Sequence, residues 1–242
     1  MEAIKTIGLC KQFKQTTAVD HVDLTVQQGE LFALLGINGA GKTTTIRMLC
    51  GLTKPTEGDA FLLGDSVVTD LAHAKTHIAV SPQETAAAPN LTVRENLALM
   101  CGVYGFDREK TVRKIDEIVH RFAFDEVLNR RSGKLSGGWQ RKLSIAMALI
   151  GEPKILFLDE PTLGLDVIAR AQLWEQIRAL KGETTILLTT HYMEEAEALS
   201  DRIGVMRDGR LLTVGTADEL KEKTGKEKFE DAFIAIVTEA AK

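Results

Sequence analysis

Gly36-Ile37-Asn38-Gly39-Ala40-Gly41-Lys42-Thr43 follows the pattern G-x-x-x-x-G-K-[ST] and stands between an apolar run, Leu31 to Leu35, and a helical run, Thr44 to Leu49. Glycines at these spacings let the backbone curl so that successive N–H groups point inward at phosphate oxygens. The helix that follows adds the positive end of its dipole. In that chemistry Lys42 reaches the outer phosphates of a nucleotide, and the Thr43 hydroxyl meets a magnesium ion. A nucleotide site that hydrolyses also needs carboxylates, and Asp159-Glu160 stand at the end of the apolar run Ile155 to Leu158. The carboxyl ends of buried strands are where an open α/β sheet takes its ligands. Asp159 is therefore expected in the metal shell and Glu160 on the attacking water.

Residues so far apart in sequence meet only if a sheet gathers them. Leu31 to Leu35, Ile155 to Leu158 and Thr185 to Thr189 are short apolar runs without alternation, which predicts parallel strands buried on both faces. His77 to Ser81 is read as a further strand of that sheet. Ala3 to Leu9, His21 to Val26 and Asp59 to Leu63 predict a small antiparallel sheet at the amino terminus. Between about 90 and 135 the pattern turns helical. Thr92 and Glu95 make a capping box, with Val93, Leu97, Met100, Cys101 and Tyr104 on one face, and Val112, Ile115, Ile118, Val119 and Phe122 repeat the stripe. These helices fall between two strands and so read as an insertion, about 84–145. A second capping box, Thr216 to Glu219, opens a helical tail over 216–242 with Phe229, Phe233, Ile236 and Val237 on one face. The fold class expected is α/β with a parallel core sheet over residues 1–215, an antiparallel β subdomain and an α-helical insertion.

The chain has 242 residues, 44% hydrophobic and 26% charged, the balance of a globular protein with a sizeable core. A net charge of −4 gives no basic excess, so no nucleic-acid partner is expected. No apolar run nears the roughly 18 residues of a membrane helix, and the first residues lack a secretory pattern, so a cytoplasmic chain is expected. Cys10, Cys50 and Cys101 are odd in number and far apart, which predicts reduced, structural thiols rather than disulfides or a zinc site.

Leu135-Ser136-Gly137-Gly138-Trp139-Gln140 is the most specific stretch. Ser136 opens a helix with Leu143, Met147 and Ile150 on its apolar face, so its hydroxyl and the glycine N–H groups make a second anion site at a helix start. The stretch resembles the signature of ABC-type ATPases. With the phosphate loop, Asp159-Glu160 and a lone His191 after Thr189-Thr190 in family order, nearly the whole chain resembles an ABC transporter ATP-binding subunit. The resemblance implies a P-loop NTPase core, ATP and Mg2+ as cofactors, and a head-to-tail ATP-dependent dimer with itself or a paralogous subunit. In that dimer each Ser136-Gly137-Gly138 closes over the partner's nucleotide. It further implies that Gly36, Asn38, Gly39, Ala40, Gly41, Lys42, Thr43 and Thr44 hold the phosphates and that Phe13 stacks on adenine. Thr43, Gln83 and Asp159 would serve the metal, and Glu160, His191 and Gln83 the reaction. Asp166, in Pro161-Thr162-Leu163-Gly164-Leu165-Asp166, matches a loop crossing the dimer interface, although it can equally cap the helix after it.

A membrane-spanning permease is the implied partner, holding the chain on the inner face of the membrane. The segment from Pro161 through Asp201, including Thr189-Thr190-His191-Tyr192-Met193-Glu194-Glu195-Ala196, looks most like subunits that export drugs, sodium or lipid-linked polysaccharide. Glu84 to Leu91, with Ala86-Ala87-Ala88 ended by Pro89, is where a helix of that partner is expected to approach. Ile37 departs from the proline common in such phosphate loops, Trp139 occupies a variable signature position, and Phe13 lacks the usual tyrosine hydroxyl. Rival readings are a soluble ABC-type machine acting on DNA or ribosomes, a P-loop kinase and a non-hydrolysing regulatory module. The first lacks its usual coiled coils or zinc modules, the second has no use for Leu135-Ser136-Gly137-Gly138, and Glu160 with His191 argue against the third.

Overall fold

The computed structural model describes residues 1–240. Strands β1 (Glu2–Phe13) and β2 (Thr16–Gln27) form a long antiparallel hairpin, after which β3 (Leu31–Leu35) enters the interior. Next come α1 (Lys42–Leu49), β4 (Glu57–Leu62), β5 (Asp65–Ser66) and α2 (Leu71–Ala74), which runs into a 3₁₀ turn, Lys75–His77, ahead of β6 (Ile78–Ser81). The middle of the chain is helical, with α3 (Val93–Val103), α4 (Arg108–Phe122) and α5 (Gly137–Leu149). Beyond them lie β7 (Ile155–Asp159), α6 (Val167–Arg178), β8 (Thr185–Thr190), α7 (Met193–Leu199), β9 (Arg202–Arg207), β10 (Arg210–Gly215), α8 (Ala217–Thr224) and α9 (Phe229–Glu239). One sheet runs β2-β1-β4-β5 and the other β10-β9-β3-β8-β7-β6. In the second sheet only β10 is antiparallel to its neighbour.

The unbroken apolar runs follow from burial on both faces. Leu31, Ala33 and Leu35 of β3, with Leu156 and Leu158 of β7, point into a core shared with the helices. Phe32, Leu34 and Phe157 point into a second core against the antiparallel sheet. A strand sandwiched this way gains burial from every residue, about 1.5–3 kcal/mol for each large side chain. Helix α1 has only eight residues and would be marginal in isolation; Ile46, Met48 and Leu49 hold it by burial in the second core.

Several expectations need correction. His77 lies in the 3₁₀ turn, so the strand begins at Ile78. Val112 is half exposed and Tyr104 is the exposed C-cap of α3, leaving narrower stripes than the periodicity implied. Helix α5 has no single apolar face, because every residue from Arg141 to Leu149 is buried. The hairpin β9–β10 adds a strand pair that the pattern reading passed over. Both capping boxes form, at Thr92 and Thr216. The tail packs Phe229, Phe233 and Ile236 into the first core; the final positions of the 216–242 stretch, 241 and 242, lie outside the described residues. The three cysteines are buried and free. Among the described residues no helix is long and apolar enough to cross a membrane.

Candidate functional site

Strands β3, β8, β7 and β6 lie side by side and parallel, so their carboxyl ends deliver Gly36, His191, Asp159-Glu160 and Gln83 to one edge of the sheet. A cavity of about 420 Å³ opens there, lined by Asn38 through Thr44, by Gln83, Glu160 and His191, and by Ala18 and Leu163. The loop around it tolerates no side chain at its key turns. A Cβ on Gly41, whose φ is +102°, would stand 2.4 Å from the Ala18 carbonyl oxygen, and one on Gly36 would stand 2.3 Å from that of Met206.

Lys42 is buried, and its Nζ donates to the carbonyls of Gly36 at 2.8 Å and Ile37 at 3.2 Å. Burial pushes its ammonium below the ordinary lysine range, while the charges of Glu160 and Asp159 act against that. The ammonium lies 3.5 Å from Glu160 Oε1. Behind the loop, Asp159 Oδ1 accepts from the Thr43 hydroxyl at 3.1 Å and from the Thr189 hydroxyl at 2.5 Å. The Thr43 hydroxyl and the Asp159 carboxylate, both hard oxygens, thus lie together beside the phosphate loop.

Glu160 has φ +47°, a left-handed conformation that costs a non-glycine residue about 1–2 kcal/mol. Its N–H donates to both the carbonyl and the hydroxyl of Thr189, each at 3.1 Å, which holds the turn in place. The carboxylate is thereby set between Lys42 and His191, whose Nδ1 lies 3.2 Å from Glu160 Oε2 without the alignment of a hydrogen bond. His191 also packs on Tyr192, ring centroids 4.1 Å apart.

Other expected residues stand apart from this cavity. Ser136 and Gly137 are exposed at the start of α5, and the Ser136 hydroxyl makes no capping bond. Phe13 is half exposed at the end of β1, outside the core, with Lys11 Nζ 5.0 Å from its ring centroid. Asp166 caps α6 by accepting from the Ala169 N–H at 2.8 Å. In the 84–91 stretch Ala87 is buried, and Asn96 ties Ala88, Leu91 and Thr92 with its side-chain amide; Gln83 to Ala86 are exposed, as are Pro89 and Asn90.

Two residues of the site escaped the sequence reading. Thr189 pairs in register with Asp159 and bonds both acids; its only signal was a hydroxyl at the end of an apolar strand. Arg141 is buried on α5 and donates at 2.6 Å to each of the Pro82 and Gln83 carbonyls, pinning the Gln83 loop to the helix that Ser136 starts. Standing in the polar run Gln140-Arg141-Lys142, it carried no signal that set it apart from a solvated charge. Arg141→Met is expected to lower ATP turnover roughly 10- to 100-fold, the cost of a misplaced catalytic group, and to change nucleotide affinity much less. Arg141→Lys, a single-point donor, should recover only part of the loss. Turnover and equilibrium binding on both variants, with melting curves to confirm folding, check this; unchanged turnover would show that Gln83 does not depend on Arg141.

The sequence profile of the family described as ABC transporter matches residues 19–163, which carry the phosphate loop, the signature and both acids. The chain belongs to the ABC transporter family. It is 41% identical over 224 residues to the daunorubicin/doxorubicin resistance ATP-binding protein DrrA of Streptomyces peucetius, covering 92% of this chain and 68% of DrrA. It is 39% identical over 241 residues to the probable multidrug ABC transporter ATP-binding protein YbhF of Escherichia coli (strain K12), covering 97% of this chain. It spans only 41% of YbhF's length. A solved ATP-binding subunit of an ABC transporter superposes with a TM-score of 0.85 at 27% identity, covering 97% of this chain and 99% of that one. The two sheets and the intervening helices are thus the ABC ATPase fold.

Proposed function

We propose that the chain binds and hydrolyses ATP and that the hydrolysis powers transport, in the export direction, through a separate membrane-spanning permease. The observation that carries this reading is the convergence in one cavity of the phosphate loop, Gln83, Glu160 and His191, with Ser136 and Gly137 exposed outside it. DrrA and YbhF, by their names, act in drug resistance and multidrug transport, which supports the export direction and a position on the inner face of a membrane. In this reading residues 1–215 form the ATPase domain with its helical insertion at about 84–145, and 216–242 is a tail packed on it.

The loop N–H groups and Lys42 bind the phosphates, and Thr43, Asp159 and Gln83 would hold Mg2+. Their donors are hard oxygens and suit that ion, whose charge neutralises the β- and γ-phosphate oxygens when bound. Glu160 accepts a hydrogen bond from the attacking water and orients it, and His191 steadies the γ-phosphate end. Gln83 to Ala86, together with the exposed Leu99 and Val103 of α3, gives the permease a surface next to the site. A kinase would leave the exposed signature without work.

Because Ser136 and Gly137 are exposed and do not line the chain's own cavity, closing over a nucleotide calls for a second subunit. Glu160→Gln protein is expected to be monomeric without nucleotide and dimeric with ATP, with Ser136→Arg blocking the dimer by crowding the γ-phosphate. Light scattering at several protein concentrations reads this directly, and a dimer indifferent to ATP would contradict the head-to-tail arrangement.

A further inference from the structure

Asp65, at the start of β5, and His73 and His77, on the helical stretch that follows it, form a cluster that the ATPase reading does not use and that lies outside the nucleotide cavity. The two histidines are four positions apart on continuous helical turns, α2 running into the 3₁₀ turn. Their rings therefore emerge on one side, with centroids 5.1 Å apart. His73 Nδ1 lies 3.1 Å and His77 Nε2 2.9 Å from the same oxygen, Asp65 Oδ2. All three atoms fall within 4.8 Å of one another.

We propose that Asp65, His73 and His77 bind a divalent transition-metal ion of the zinc type. Zinc–nitrogen and zinc–oxygen bonds near 2.0–2.2 Å place tetrahedral ligands about 3.3 Å from each other. Both histidine–aspartate separations are already close to that edge length. Only the two imidazole nitrogens must adjust, and His73, whose side chain is 61% exposed, is free to turn. Asp70, with Oδ2 4.0 Å from His73 Nδ1, or a water, completes the fourth position. Two imidazoles and one carboxylate select zinc, copper or nickel over magnesium, so this ion is distinct in kind from the Mg2+ that Thr43 and Asp159 would hold. A bound ion would tie β5 to the segment immediately ahead of β6, the strand that leads to Gln83.

Calorimetric titration of the full chain, free of nucleotide, with zinc chloride is expected to show one saturable ion per chain, with no matching signal from magnesium chloride. His73→Ala, His77→Ala and Asp65→Asn should each weaken it by at least about 10-fold, since even outer-shell changes cost that much. His21→Ala, which removes the imidazole beside Asp20 and Glu57, should leave it intact. Zinc near 100 times its Kd should raise the melting temperature by roughly 5 °C in the parent and not in the His73→Ala protein, whose exposed position keeps the fold safe. Absence of a one-to-one site overturns the proposal. So does a site that survives in the His73→Ala, His77→Ala double variant, because the cluster is then only a carboxylate held by two imidazoles.

Discussion

Glu160→Gln is expected to cut steady-state ATP hydrolysis by about 10²–10⁴-fold, the span attributable to one acid–base group, while ATP affinity stays within about threefold. The split follows from position. Glu160 touches the phosphate loop only through Lys42, 3.5 Å away, whereas the loop's own N–H groups and the α1 terminus do the binding. Glutamine keeps the size and the left-handed turn, and the backbone bonds to Thr189 need no carboxylate. What disappears is the charge that draws a proton from water. Phosphate release and fluorescent-nucleotide titration on the same preparation separate the two effects. Hydrolysis near the parent rate would remove Glu160 from the reaction and with it the central step of the proposed ATPase cycle.

Much of the fold was legible because burial on both faces writes itself into composition. β3, Ile155 to Leu158 of β7 and Ile186 to Leu188 of β8 are unbroken apolar runs for the reason that one core lies above them and another below. The hairpin β9–β10 was legible in principle, since Asp208-Gly209 sits between two apolar-rich runs, Arg202–Arg207 and Arg210–Gly215. It was passed over because those runs neither alternate nor reach the apolar density of the central strands. Helix α5 misled for the opposite reason: a helix buried all round has no stripe for periodicity to find. Val112 shows the converse, a residue in phase with the α4 stripe that is left half exposed.

The site was legible where chemistry is local. A phosphate loop is one contiguous stretch, and a strand ending in two acids announces itself. What pairs across the sheet is not local. Thr189 becomes a partner of Asp159 only through the register of β7 against β8, and Arg141 reaches the Gln83 loop only because α5 threads beneath β6. Ala87 shows the same limit, an alanine that looked available in sequence and is buried in the first core.

Lys42→Ala is expected to lower ATP affinity by about 30-fold or more, since losing a desolvated charged contact costs at least about 2 kcal/mol and each 1.4 kcal/mol is tenfold. The Lys42 ammonium donates to the Gly36 and Ile37 carbonyls, and phosphate oxygens would take some of those hydrogens in exchange. Burial has already stripped much of its water, which lowers the cost of that exchange and makes the charge count for more once it is made. Removing this cation leaves the buried Glu160 and Asp159 carboxylates less compensated, so a fall in melting temperature is expected as well. Affinity is therefore read on protein shown by its melting curve to be folded at the assay temperature. The contrast with Glu160→Gln is the sharper control: one variant stops binding and the other stops chemistry. Equal ATP affinities for Lys42→Ala and the parent would mean that the loop does not cradle phosphate through this residue, whatever Glu160 does.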